Sequence, residues 1–145
     1  MSGTLVVHAA HGTPVESLAE GFVCHVVDRG CGVVWVHLAG ELDIASAPQL
    51  ERMLQSELQA PLVVLDLRQL TFMDSFGLHV VAHASMRARC TGNRLVLIRA
   101  PRQVHRLLAL AGAAETIEIV ELGDSEPAIH ALLHLARTEQ EHDWA

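Results

Sequence analysis

Three groupings of residues in this chain have the types and spacing for chemistry. The first is Asp74-Ser75-Phe76-Gly77, a serine hydroxyl beside a carboxylate. It follows an apolar run, Leu62-Val63-Val64-Leu65, and precedes an apolar pattern at helical spacing, so it lies where a strand gives way to a helix. A helix N-terminus favours anions, because its first N–H groups are unpaired and its dipole is positive there. Ser75 is thus open to three uses: nucleophile, helix cap or phosphate acceptor. The second grouping is two histidine pairs, His79 with His83 and His130 with His134, each at the i, i+4 spacing that can clasp zinc. The third is the stretch from Ser75 to Ala114, which has no acidic residue but holds Arg87, Arg89, Arg94, Arg99, Arg102 and Arg106. It reads either as a face for an acidic partner or a phosphate, or as ordinary solvated helix and strand edges.

Several of these uses lose ground on inspection. A serine nucleophile needs a base and an oxyanion hole, and the strand-to-helix elbow that presents one is G-x-S-x-G; position 73 here is Met. A hydrolase is therefore disfavoured, and no enzyme activity is expected. Each histidine pair lies beside an apolar stripe, and neither has the glutamate of an HExxH arrangement, so no metal or other cofactor is expected. No Walker-type loop supports nucleotide binding. The formal net charge of −7 argues against nucleic acid as the main partner. Every basic side chain is arginine, a bias we ascribe to genome composition. Cys24, Cys31 and Cys90 form no CxxC pair and read as packing or surface residues without a disulfide.

The elements that position Ser75 follow from periodicity and turn chemistry. The 145 residues suit one domain, and half of them are apolar, which argues against disorder. No apolar run approaches the roughly 20 residues of a membrane helix, and no signal peptide is visible, so a cytoplasmic protein is expected. Residues 1–20 read as an N-terminal extension, with a short strand over Thr4–His8 and a break at Gly12-Thr13-Pro14. Phe22–Val27 and Val33–Ala39 form a hairpin across Asp28–Gly32, and Gly40–Asp43 is its exit loop. Ser46, Pro48 and Gln49 open a helix with a capping box, and Leu50, Met53, Leu54 and Leu58 give it an apolar stripe. Leu62–Leu67 is a central strand. A helix follows from about Phe76 to Arg89, with Leu78, Val81, Ala82, Ser85 and Met86 inward. Arg94–Arg99 is the next strand; Pro101 starts a helix with Val104, Leu107, Leu108 and Ala111 inward; Ile117–Val120 is a last strand. Asp124–Pro127 opens a final helix with Ile129, Leu132, Leu133 and Ala136 inward, and 139–145 is a polar tail. The expected fold is α/β, a single domain over 21–138. It has a mixed, mostly parallel sheet of about five strands with about four helices, in the order β-β-α-β-α-β-α-β-α.

Three motifs carry a family resemblance. Gly40-Glu41-Leu42-Asp43-Ile44-Ala45-Ser46-Ala47-Pro48-Gln49-Leu50, then Leu70-Thr71-Phe72-Met73-Asp74-Ser75-Phe76-Gly77-Leu78, then Gly92–Leu97 with Val104–Leu108 and Ala111-Gly112, resemble the STAS domain. Within it they resemble the bacterial anti-sigma factor antagonists, over about Phe22 to Leu135. The resemblance implies a binding module that is a phosphorylation substrate. Its unphosphorylated form binds an anti-sigma factor serine kinase and frees a sigma factor, and phosphorylation ends the binding. By position Ser75 is the acceptor, a serine phosphatase is the kinase's counterpart, and the protein is a monomer or a weak homodimer. Asp43 matches an acidic residue beside the acceptor, and Asp43, Asp74, Ser75, Phe76, Gly77 and His79 form the expected partner-binding surface. Many relatives carry a second Ser or Thr where this chain has Phe76; that ring either anchors a partner or tucks back against Leu42 or Val80. A scaffold or regulatory subunit in a stress-signalling or transporter complex is the alternative role.

Overall fold

The computed structural model describes residues 5–9, 13–19, 21–28 and 30–143. Seven strands form one sheet in sequential order: β1 (Leu5–Ala9), β2 (Thr13–Ala19), β3 (Phe22–Asp28), β4 (Val33–Leu42), β5 (Leu62–Met73), β6 (Arg94–Ile98) and β7 (Glu118–Val120). Strands β1 to β4 pair antiparallel, and β4 to β7 pair parallel. Among the described residues there are four α-helices, α1 (Ala47–Glu57), α2 (Ser75–Cys90), α3 (Arg102–Leu110) and α4 (His130–Asp143), and one 3-10 turn, Ala113–Glu115. From Phe22 onward the expected order is observed. Ahead of it, the segment read as an extension adds two strands. The break read at Gly12-Thr13-Pro14 falls between β1, which ends at Ala9, and β2, which starts at Thr13; Pro14 stands second in β2, opposite His8, at a strand start where a missing N–H is tolerated. The remaining residues of 1–20, Arg29 of the hairpin turn, and Trp144 and Ala145 of the tail lie outside the described residues.

The parallel half needs crossover helices, and they divide the core. Helices α1, α2 and α3 bury Leu50, Leu54, Val80, Val81, Ala84, Ala88, Val104 and Leu108 against Val63, Leu65, Leu67, Leu95 and Leu97. On the other face α4 sets Ala131 and Leu135 against Trp35, Val64, Val96 and Ile98. Alternate residues of β5 thus face opposite layers, and the strand is apolar because both faces are covered.

Several local expectations are corrected. Strands β4 and β5 do not stop at Ala39 and Leu67; they pair onward through Glu41 with Phe72 and Leu42 with Met73, past two register shifts. Gly40-Glu41-Leu42 is therefore strand, not exit loop. The capping box at α1 does not form. Ser46 Oγ turns back to accept from the Asp43 N–H at 3.0 Å and to donate to the Glu41 carbonyl at 3.1 Å. Gln49 Oε1 has no partner among the described residues. The buried face of α2 is Gly77, Val80, Val81, Ala84, Ser85 and Ala88, and Met86 is exposed. Helix α4 begins at His130 instead of Asp124, with Ile129 and Leu133 exposed and Ala131 and Leu135 inward. Its lead-in, residues 123–129, is held as a loop and closes with i to i+3 bonds such as His130 N–H to the Pro127 carbonyl. The helix also continues to Asp143, into the segment read as a tail.

One glycine is required by a close approach. Gly40 has φ +95°, and a Cβ there would drive into the Gly21 carbonyl oxygen, which accepts the Glu41 N–H at 2.9 Å. Gly40→Ala is expected to cost about 2–3 kcal/mol, from a strained φ and a backbone clash. Urea unfolding of the variant checks this.

Candidate functional site

The Ser75 junction sits at the carboxyl end of β5, and four hydrogen bonds through Asp74 build it. Leu42, the last residue of β4, accepts the Asp74 N–H at its carbonyl at 3.1 Å. Asp74 then caps α2: its Oδ1 accepts from the Phe76 N–H at 2.9 Å and the Gly77 N–H at 3.1 Å. Its Oδ2 accepts from the Ile44 N–H at 3.1 Å, thirty residues earlier in the chain. The cap is therefore also a brace between the loop after β4 and the first turn of α2. An aspartate suits this task, since it accepts with both oxygens and favours the positive end of a helix.

Ser75 is released by that arrangement. The serine expected as one alternative to be the cap is instead the first helical residue. It is exposed, and its hydroxyl has no hydrogen-bond partner among the described residues.

Gly77 explains its own place in the motif. A Cβ at Gly77 would stand 2.7 Å from Leu42 Cγ and 2.9 Å from the Leu42 carbonyl oxygen. Only a residue without a side chain lets α2 approach the end of β4 this closely. Gly77→Ala is expected to push the helix start off Leu42, to cost about 1–3 kcal/mol, and to shift the Ile44 and Phe76 amide resonances. Wild-type stability and an unchanged amide spectrum would contradict it.

The other expected surface residues surround the hydroxyl. Asp43 is half-buried, and its Oδ1 accepts from the Ala45 N–H at 3.0 Å and the Ser46 N–H at 3.3 Å, which fixes the turn into α1. Phe76 is not buried in the core; it stands 52 % exposed. His79, one turn beyond Ser75, is exposed and stacks on His83 with ring centroids 6.0 Å apart and planes within 3°. His83 Nδ1 in turn lies 3.7 Å from Glu51 Oε1 on α1. No group of three metal-ligating side chains occurs among the described residues. Acidic side chains from beyond the arginine-rich stretch pair with part of it. Arg94 pairs with Glu118 and Arg99 with Glu121; Arg99 and Arg102 share an open cavity of about 510 Å³ with Glu121 and Asp124.

Two features were missed at the level of sequence. One is Ile44, 61 % exposed beside the junction. The other is an ionic latch on the α4 side of the sheet. Asp66, buried in β5, accepts from Arg68 Nε at 3.0 Å and Nη2 at 2.9 Å and contacts His37 Nδ1 at 3.2 Å. Arg68 Nη1 donates to the carbonyls of Gly123 at 2.7 Å and Glu126 at 2.6 Å. Burial alone would raise the Asp66 carboxyl, but the bonds from His37 and Arg68 outweigh it and hold the group well below the usual carboxylate range. The i, i+2 spacing of Asp66 and Arg68 in a strand, which puts both on one face, is the signal that was present.

The STAS domain family model matches residues 26–135. The chain is 30% identical over 96 residues to an anti-sigma-B factor antagonist of Listeria monocytogenes, covering 65% of this chain and 84% of that protein. It is 31% identical over 107 residues to an anti-sigma F factor antagonist of Paenibacillus polymyxa, covering 72% of this chain and 87% of the relative. Among solved structures, an anti-sigma factor antagonist from Mycobacterium paratuberculosis superposes with a TM-score of 0.65 at 24% identity, over 80% of this chain and 94% of that one. No helix among the described residues is long and apolar enough to cross a membrane.

Proposed function

The chain belongs to the STAS domain family, as an anti-sigma factor antagonist, and from that premise we propose that it is a phosphorylation-controlled partner switch. Its unphosphorylated form binds an anti-sigma factor serine kinase in the cytoplasm and frees the sigma factor. Transfer of phosphate to Ser75 ends the binding, and a serine phosphatase restores it. The observation that carries this reading is the exposed Ser75 hydroxyl, which has no hydrogen-bond partner among the described residues because Asp74 does the capping.

Each residue of the proposed surface has a physical part. Ser75 is the acceptor. Asp74 and Asp43 shape the surface by spending their carboxylates on backbone N–H groups. Gly77 sets the depth of the helix start. Phe76 and His79 are exposed on the helix surface beside the acceptor. Chemistry stays with the kinase: the chain offers a hydroxyl, and the base, the nucleotide and the metal come from the partner.

The test is incubation with each candidate anti-sigma factor and ATP, read by intact mass. Wild type should gain one phosphate and Ser75→Ala none. Phosphate appearing equally on Ser75→Ala would move the site elsewhere. A stable complex without transfer would favour the scaffold role.

A further inference from the structure

Ile44 and Phe76 are tied to a single carboxylate. Asp74 Oδ2 holds the Ile44 N–H and Asp74 Oδ1 the Phe76 N–H, so the two residues sit at a fixed separation beside Ser75. One stands on the loop between β4 and α1, the other on the first turn of α2. Their side chains are 61 % and 52 % exposed. The loop is fixed a second time by the Asp43 turn and by the Ser46 hydroxyl. Ile44 is thus presented on a backbone that has little freedom left to lose on binding.

A lone exposed isoleucine is ordinary surface. Its position here is not. A kinase must bring its nucleotide to within bonding distance of Ser75 Oγ. A specific interface covers about 800 Å² on each partner, a disc of roughly 16 Å radius. Residues held by the carboxylate next to Ser75 lie well inside that disc. Binding energy concentrates in side chains that fill desolvated pockets near the centre of an interface, and a pre-ordered backbone lowers the cost of placing them there.

We propose that Ile44 and Phe76 form a two-point apolar anchor beside Ser75, which seats in an apolar cleft of the anti-sigma factor kinase. The inference rests on the partner-switch reading and assigns the partner's chemistry at this face. Because the anchor binds equally before and during phosphate transfer, its loss acts on association and not on the chemical step.

The test measures affinity and phosphorylation kinetics together, with the unphosphorylated full chain and the purified anti-sigma factor. Ile44→Ser and Phe76→Ser are each expected to weaken binding roughly tenfold or more, raising KM with kcat unchanged. Leu110→Ser, at the far end of α3 and 77 % exposed, should change neither. Amide spectra of Ala45, Ser46 and Gly77 establish that the junction is intact in each variant. Wild-type affinity in Ile44→Ser or Phe76→Ser overturns the anchor and leaves the switch standing. A fall in kcat at constant KM also overturns it, since that marks a positioning effect. Failure of the wild type to bind any anti-sigma factor overturns both readings.

Discussion

Protein carrying phosphoserine at position 75 is expected to bind its anti-sigma factor at least about a hundredfold more weakly than unmodified protein, with an unchanged fold. The modification adds a charge of about −1.5 to −2 at the start of α2. A helix N-terminus usually receives such a charge on its free N–H groups. Here the Phe76 and Gly77 N–H groups are already taken by Asp74. The phosphate therefore stays in water, beside an existing carboxylate, with the helix dipole as its compensation. In the free protein this costs little. In the complex the same group must be desolvated next to Asp74, and a burden of several kcal/mol is ample for a hundredfold loss. Phosphoserine incorporated during synthesis separates this effect from the kinase reaction. Calorimetry reads the affinity, and amide spectra read the fold. Equal affinity of the two forms would remove the switch, and a grossly altered spectrum would replace local charge with refolding as its cause.

The second large effect is structural. Arg68→Ala is expected to lower stability by about 3–5 kcal/mol, because it leaves the buried Asp66 carboxylate without its main partner. It also frees the Gly123 and Glu126 carbonyls, so the lead-in to α4 should loosen and the amides of 130–135 should exchange faster. The pH dependence follows from Asp66. Its folded carboxyl is held below its unfolded value, so its contribution is fully present above the unfolded pKa of about 4. That contribution is lost as pH falls through the lower folded value. The stability that wild type holds over Asp66→Asn should therefore shrink as pH falls below about 4. Denaturant melts at stepped pH test this, and a gap that widens in acid would contradict the latch.

The junction was legible in sequence because its signals are local. An apolar run, a break at Asp74-Ser75 and a helical period after it require only neighbouring residues to be read. The order of elements from Phe22 onward has the same basis, as does the α1 stripe of Leu50 and Leu54. The inward faces of α2 and α4 were read less well. Gly77 fixes the rotation of α2 by touching Leu42, and Arg68 fixes the start of α4 by holding Gly123 and Glu126. In both, a partner distant in sequence overrides the helix's own pattern.

What sequence determined by itself was the family, the fold class and the strand-to-helix junction that carries the proposed acceptor serine, since these rest on residue types at short spacing. Tertiary structure decided which residue caps α2 and which is left free. That choice depends on Asp74 reaching Ile44 across thirty residues of chain, which follows from the parallel pairing of β4 with β5 as far as Leu42 and Met73. Pairing register is a property of two distant strands together, and no window along one of them contains it. The freedom of the Ser75 hydroxyl and the exposure of Ile44 and Phe76 both descend from that register.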